Sequence, residues 1–285
     1  MDNNLISFDK LGDVVNNLID KLSSAVGWIS THDTPNRIAI NTYIEGIKNS
    51  NYDPLTKAAL ISQAKRTIKE YCNQSSIVKI ATEFMSNSAK PKEIDDDWLA
   101  QFMDKARLVS DEEFHYIWGR ILAEECNNPH SMPKSLLHIL EQMDSNDAKN
   151  FSSICSVSIY INENKSEFHP IVIHHQLEEY ETFGITYNTL VNIQALGLIE
   201  MDMGVFASGY MVVCETKPLV IHYNEENYEL QNNTDNLRVG NVIFTKTGKA
   251  LCKAVAIEKQ EDFFEKHCIP FWEESAKAKE TVKNQ

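Results

Sequence analysis

His174, His175 and Glu178 could bring an imidazole and a carboxylate together, since His174 and Glu178 are four apart and would share a face if a helix already included His174. Zinc chemistry needs three protein ligands and an open position. This group lacks HExxH spacing and a third ligand, and His130, His138 and His169 stand apart from it. Acid/base chemistry has richer material in Asp95-Asp96-Asp97, in Glu112-Glu113 with His115, and in Glu124-Glu125. A hydrolase would need such carboxylates to converge in a cleft, with a polarising cation or a raised pKa. Consecutive acids on a helix point in different directions, and the first two groups sit where helices begin, so capping and dipole interactions account for them. Thr247-Gly248-Lys249 ends like a phosphate-binding loop, but Ile243, Phe244 and Ala250 break the GxxxxGK[ST] pattern. GxSxG and GxGxxG are missing too. The residue types thus point to no catalytic group, no cofactor and no metal.

The six cysteines are scattered without a CxxC pair, which suggests neither a disulfide framework nor a thiolate zinc site. With 27 basic against 41 acidic residues, the 285-residue chain carries a formal charge of −14. That balance disfavours a generally basic nucleic-acid or anionic-membrane binder. The acidity is uneven. Residues 1–94 hold 11 basic and 10 acidic groups, 95–160 hold 5 and 12, and 161–285 hold 11 and 19. No apolar run approaches the roughly 20 residues that span a bilayer, and the first residues lack a secretory signal pattern, so a cytoplasmic protein is expected.

Five segments follow from the patterning: an amphipathic association helix in 1–34, a helical segment in 35–90, a helical array in 91–160, a winged-helix-like domain in 161–260 and a helical tail in 261–285. Over residues 8–29, Phe8, Leu11, Val15, Leu18, Leu22, Val26 and Ile29 recur every three or four residues and form one apolar stripe ending at Trp28. It can pack on its own chain, on a partner or second copy, or on a membrane surface. The last suffers because Asp9, Asp13 and Asp20 outnumber Lys10 and Lys21. Asp53-Pro54 reads as an N-cap and first helical residue, starting a helix toward Cys72, with another over Ile77 to Met85. Ser110 and Glu113 fit a capping box for a helix reaching Glu125, in which Gly119 would permit close approach of a neighbouring helix. Helices are expected from Pro133 to Met143 and from Ser145 to Ile159.

From residue 168 the period changes. Strands are expected at Pro170–Ile173, Leu198–Met203, Tyr210–Cys214, Pro218–Tyr223 and Asn241–Thr245, with helices at His175–Phe183, Thr186–Leu196 and Thr247–Ile257. That order predicts an α+β chain, an all-helical N-terminal region followed by a winged helix-turn-helix-like domain with an extended β wing. Its reading helix, Thr186 to Leu196, holds no Lys or Arg. Asn188, Asn192 and Gln194 could read bases, but phosphate anchoring and major-groove recognition lean on cations. Between Met201 and Thr247 the basic residues are only Lys217, Arg238 and Lys246. Phe263, Phe264, Phe271 and Trp272 are too aromatic for a free tail and should pack as a last amphipathic segment.

Lys10-Leu11-Gly12, Leu18 to Ser23, Gly27-Trp28, Asp97-Trp98-Leu99, Ser110 to Glu113, Trp118-Gly119-Arg120-Ile121-Leu122-Ala123-Glu124-Glu125, the Pro129 to Leu136 turn and Asp147-Ala148 resemble a bacterial family known only as domain of unknown function 2806. The resemblance covers most of the first 160 residues and supplies no catalytic residue. It implies, for some members, a setting among mobile or defence-linked genes. The polar break at Asn49 to Asp53 stands where related chains tend to have a longer charged helix. Together these readings favour a non-enzymatic protein-interaction or regulatory module linked to bacterial stress or phage defence, forming a homo-oligomer or binding a protein partner. The candidate interaction residues are Leu11, Val15, Leu18, Leu22, Trp28, Tyr187, Asn188, Asn192 and Gln194. A DNA-binding regulator and a carboxylate-dependent hydrolase are the alternatives.

Overall fold

A computed structural model describes residues 12–30, 37–161, 167–172, 178–202, 209–213, 219–223, 226–230, 236–258 and 260–272. The fold is α+β, a helical N-terminal region followed by a mixed helix and strand region. The chain divides into two compact units, Met1–Leu137 and His138–Gln285.

In the first unit, α1 spans Asp13–Val26, shorter than the 8–29 stripe. Gly27 ends it at φ 68°, where its N–H and that of Trp28 turn back onto the Ser23 and Leu22 carbonyls. Helix α2 spans Arg37–Lys48 and α3 spans Pro54–Phe84. Asp53 caps α3 as its sequence predicts, accepting the N–H groups of Leu55 and Thr56, and the Thr56 hydroxyl, which also donates to it, together with these N–H groups holds its carboxyl below the usual range. The two helices expected over 54–85 are one. Neither Gly nor Pro interrupts Cys72 to Ile77, and the polar residues that looked like a break dock instead: Asn73 and Gln74 donate to the carbonyls of Arg107 and Met103.

Helix α4 spans Asp96–Ala106 and α5 spans Glu112–Asn127. The cap of α5 falls on Asp111, not on the predicted Ser110, because the carboxylate reaches the N–H groups of both Glu113 and Phe114. Gly119 does permit close approach. A Cβ there would lie 2.5 Å from Ile80 Cγ2 and 3.0 Å from the Ile77 carbonyl, so α3 and α5 meet nearly backbone to backbone. Trp98 stacks on Phe102, and Phe102 meets Trp118 at a tilt, with ring centroids 5.1 Å apart at each step. Asn127 ties the helix ends together, accepting from Ser86 N–H and donating to the Phe84 carbonyl. Helix α6, Lys134–Gln142, follows.

In the second unit, α7 spans Ser145–Ser156 behind a capping box of Asp144 and Asp147. It stops before Ile159, which belongs to strand β1, Ser158–Ile161; Ile159 and Ile161 alternate into the core. Strand β2 is Glu167–Pro170, ending where the Pro170–Ile173 strand was expected to begin; just beyond it the Ile171 N–H donates to the Val157 carbonyl and the Val172 carbonyl turns to accept the Asn241 N–H. A 3-10 turn at Glu178–Phe183 occupies the end of the expected His175–Phe183 helix, and residues 173–177 lie outside the described residues. Helix α8 is Tyr187–Ala195. The strands are β3 (Ile199–Met201), β4 (Tyr210–Val213), β5 (Leu219–Tyr223), β6 (Glu226–Leu230), β7 (Asn236–Gly240) and β8 (Val242–Phe244), and α9 is Lys246–Cys252.

The strands between β3 and β8 do not form one long wing. β3 pairs with β8 and β4 with β7, but β5 leaves that ribbon to pair with β1, giving a separate antiparallel sheet in the order β2-β1-β5-β6. The Tyr160↔His222 register carries the switch. The aromatic C-terminal segment packs as expected. Phe263, Phe264 and Trp272 are buried, Phe264 stacks on Tyr223 at 5.5 Å, and Phe264 to Cys268 form a π-helical turn. Cys155 of α7 and Cys252 of α9 meet in the core with sulfurs 3.1 Å apart.

Candidate functional site

The association stripe comes first. Val15, Leu18 and Leu22 are buried, the last two completely, where α1 packs on α4 and the Pro91–Glu93 turn. Trp28 is buried against Tyr71, stacked at 5.9 Å, and the Tyr71 hydroxyl donates to the Ile29 carbonyl. These side chains are covered by their own unit, each large one contributing about 1.5–3 kcal/mol by leaving water. Leu11 lies outside the described residues.

The acidic groups are held apart. Asp95 caps α4 through the Trp98 N–H and pairs with Lys134 at 3.1 Å, and both contacts keep its carboxyl below the usual range. Asp96 pairs with Lys21. Glu112 and Glu113 are exposed, while His115 is buried with Nε2 bonded to the Val109 carbonyl. Glu124 accepts from the Asn128 side chain. Glu125 is almost fully buried, receiving the His130 N–H at 2.7 Å and the Met132 N–H at 2.9 Å. It therefore shapes the turn in which His130 sits at φ 68°. Burial raises its pKa against those N–H groups. Among the described residues no three His, Cys, Asp or Glu side chains gather closely enough to hold a metal ion. His174 and His175 lie outside the described residues, and Glu178 is exposed.

Helix α8 is the most fully built presenting element. Thr186 caps it, accepting the Thr189 N–H and meeting the Thr189 hydroxyl at 2.9 Å. Gly184 and Gly197 bound it at φ 76° and 75°, conformations that favour glycine. Leu190 and Ile193 are fully buried and Thr189 nearly so, which fixes the opposite face outward. That face presents Tyr187, Asn188, Val191, Asn192 and Gln194, so four of the nine candidate interaction residues are brought together here. It has no charge. Thr245 supports the far end by donating to the Gly197 carbonyl and capping α9 through the Gly248 N–H. A Cβ on Gly248 would stand 1.9 Å from the Leu198 carbonyl, so this glycine serves close packing.

Strand β4 adds what the sequence reading missed. Met211 and Val213 are 58% and 64% exposed. With Tyr187 and Val191 they are all the large exposed apolar side chains of the second unit among the described residues. The β3 and β4 surroundings are anionic, since Glu200 and Asp202 join burial in raising the Tyr210 hydroxyl. Of the cations a DNA contact would use, Arg238 lies over the Phe271 ring at 5.7 Å and Lys246 is exposed at the start of α9; Lys217 is outside the described residues. An alternating strand with outward Met and Val carries the signal in its period of two, but the length of the ribbon hid which face was outward.

No described helix is long and apolar enough to cross a membrane. The molecule is an α+β protein that presents an uncharged face on α8 and, on β4, further exposed apolar side chains. The chain belongs to the family described as Protein of unknown function (DUF2806), whose model matches residues 62–267. That match begins within α3 and continues through the second unit to the aromatic C-terminal segment, so it extends well beyond the first 160 residues. Lys10 to Ser23 and Gly27-Trp28 fall before it. No curated protein and no solved structure matches the chain.

Proposed function

We propose that this chain is a non-enzymatic protein-association module, with regulatory work in a bacterial stress or phage-defence setting, and that its second unit is winged-helix-like. The observation that carries the reading is the outward face of α8: Tyr187 and Val191 are 44% and 38% exposed among Asn188, Asn192 and Gln194, with no cation on the helix. A phosphate-gripping helix needs cations, whereas aromatic and apolar side chains on a rigid, capped helix suit a protein surface. The order 3-10 turn, α8, β3, ribbon, β8 and α9 supports the winged-helix reading, with Gly197 and Thr245 joining the helix exit to the last strand-to-helix turn.

The test is capture from host cells with the intact chain and with a Tyr187→Ser, Val191→Asp variant. A partner held by the wild type and lost by the variant supports the reading; the same set on both sinks it. A salt-sensitive shift of a DNA duplex, weakened when Lys217, Arg238 and Lys246 are changed together, would instead make the chain a DNA-binding regulator.

A further inference from the structure

We propose that two copies of this chain pair reciprocally, the basic α2–α3 hairpin of each lying on the acidic surface of the other's second unit. The inference deepens the association reading and rests on it.

Residues 37–69 hold six basic groups against two acidic ones, in a chain whose net charge is −14. The hairpin is well built. Lys57 Nζ donates to the Lys48 carbonyl that ends α2, Ser50 closes the turn on Ile47, and Asp53 caps α3. Ile44 and Ile47 are buried in it, yet no residue from Pro54 to Cys72 is. The buried positions of α3 begin only at Asn73. The nineteen helical residues from Pro54 to Cys72 span about 27 Å, so Lys57 near the start of α3 stands well beyond the roughly 8–10 Å over which salt screens exposed charge, while Lys65, Arg66 and Lys69 lie nearer the packed end.

Lys65, Arg66 and Lys69 share one exposed face of α3. Lys21, Lys48, Lys90, Arg107 and Lys134 are among the described cations of this unit that make ion pairs. Beside the turn, Tyr43, Tyr52 and Leu55 are 59%, 55% and 80% exposed. Cations edged by Tyr and Leu have the composition of a protein interface, aromatic anchors with a charged rim. Two hairpins would repel each other. Acidic protein groups are the complement, and the second unit exposes Glu178, Glu179 and Glu181 on its 3-10 turn, Glu200 on β3, and Glu226 and Glu229 on β6. Where the two contacts close about a two-fold axis, a surface and its complement on one chain form a pair with each contact occurring twice, whereas an open chain of copies would sediment above twice the mass and overturn the closed pair.

Sedimentation of the full chain tests this at about 50 mM and about 500 mM salt, a range over which screening of exposed charges changes severalfold. The wild type is expected at twice its 32.5 kDa mass at low salt, dissociating at high salt. Lys65→Glu, Arg66→Glu and Lys69→Glu together should give a monomer, and adding Glu178→Lys, Glu179→Lys and Glu181→Lys should restore the dimer. Tyr52→Ser with Leu55→Ser, which leaves every charge in place, should weaken pairing at least about tenfold. A wild-type monomer, a dimer untouched by the triple reversal, or no restoration by the compensating changes overturns the proposal. So does a monomer that shifts a labelled duplex through the same three cations, since the hairpin's partner would then be nucleic acid. Capture through the α8 face is read in a separate variant, so pairing can fail while the association reading stands.

Discussion

The side-chain amide of Asn73 donates to the backbone carbonyl of Arg107 at 2.9 Å, joining the middle of α3 to the residue that ends α4. Gln74 does the same for the Met103 carbonyl. The last carbonyls of a helix have no partner within it, so Asn73 completes the Arg107 carbonyl, while Gln74 adds a second donor to the Met103 carbonyl, which also accepts the Arg107 N–H. Arg107 adds an ion pair to Glu70 at 3.0 Å, and its carboxylate partners raise the guanidinium further.

Asn73→Leu keeps the volume but leaves the Arg107 carbonyl unpartnered by that amide. It is expected to cost about 1–3 kcal/mol in urea unfolding of the full chain, the range for orphaning a buried polar group. Gln74→Leu should cost less, because Gln74 is only half-buried. Equal and negligible effects would mean the amides merely rest on α4.

The same amides show what is legible in a sequence and what is not. Asp53, Thr186 and the capping acids announce helix starts by local chemistry, and the structure agrees to within a residue. Asn73-Gln74-Ser75-Ser76 looks like a break by the same local rules; only α4, some thirty residues away, turns those polar groups into partners. The ribbon failed for a related reason. Period two marks β5 as a strand, but the Tyr160↔His222 pairing that draws it to β1 is a long-range choice. Of the candidate surface, the uncharged α8 face was readable from composition, whereas burial of the α1 stripe by its own unit required the neighbours that cover it.

Gly119→Ala tests the helix crossing. Alanine would gain about 1 kcal/mol of helix propensity, but its methyl meets Ile80 Cγ2 at 2.5 Å and the Ile77 carbonyl at 3.0 Å. Ile80 Cβ also stands 2.6 Å away and, like the carbonyl, cannot move without its backbone, so a net loss of about 1–2 kcal/mol or more is expected from overpacking. In a double-mutant cycle Ile80→Ala, which removes Cγ2, should recover part of it. A stabilised Gly119→Ala would show that the helices can separate.

Glu125 gives a pH signature. Its folded pKa is raised above the ordinary carboxylate value by burial, so the folded chain holds this proton more tightly than the unfolded chain. Stability from this group is complete below the ordinary value of 4.5 and is lost as pH rises through the raised one. Asp53 and Asp95 act oppositely, losing their contribution as pH falls below about 4, near their ordinary carboxylate range. Melting temperatures of wild type and Glu125→Gln between about pH 7 and pH 5 should therefore converge or cross in favour of the wild type on acidification. Parallel curves would place the Glu125 pKa at its ordinary value.

The Thr245 hydroxyl donates to the Gly197 carbonyl and accepts the Gly248 N–H, so one side chain closes α8 and opens α9. Thr245→Val, nearly the same shape without the hydroxyl, is expected to cost about 1–2 kcal/mol. Gly248→Ala should be far worse, because a methyl 1.9 Å from the Leu198 carbonyl leaves no room for β3 and α9 together. Both effects should appear as loss of amide-exchange protection over 187–202 and 242–252, the elements this joint connects, with α3 and α5 of the other unit unchanged. Uniform loss throughout the chain would mean that the joint does not act locally.

The aromatic C-terminal segment makes the last prediction. Tyr223 reaches the Ser156 carbonyl at 2.9 Å, receives the Gln260 N–H at 3.2 Å and lies against both Phe263 and Phe264; burial pushes its hydroxyl up to about 12. Phe263 is completely buried among Tyr180, Phe183 and Tyr223. Phe263→Ala should cost about 3–5 kcal/mol by opening a cavity, while Tyr223→Phe, which keeps the ring and removes the hydroxyl, should cost about 1 kcal/mol. The ratio is diagnostic. If the segment is part of the core, the cavity dominates and ring fluorescence changes only on global unfolding; if it merely rests on the sheet, Phe263→Ala costs under about 1 kcal/mol and the segment is cut by protease while β1 and β5 remain protected.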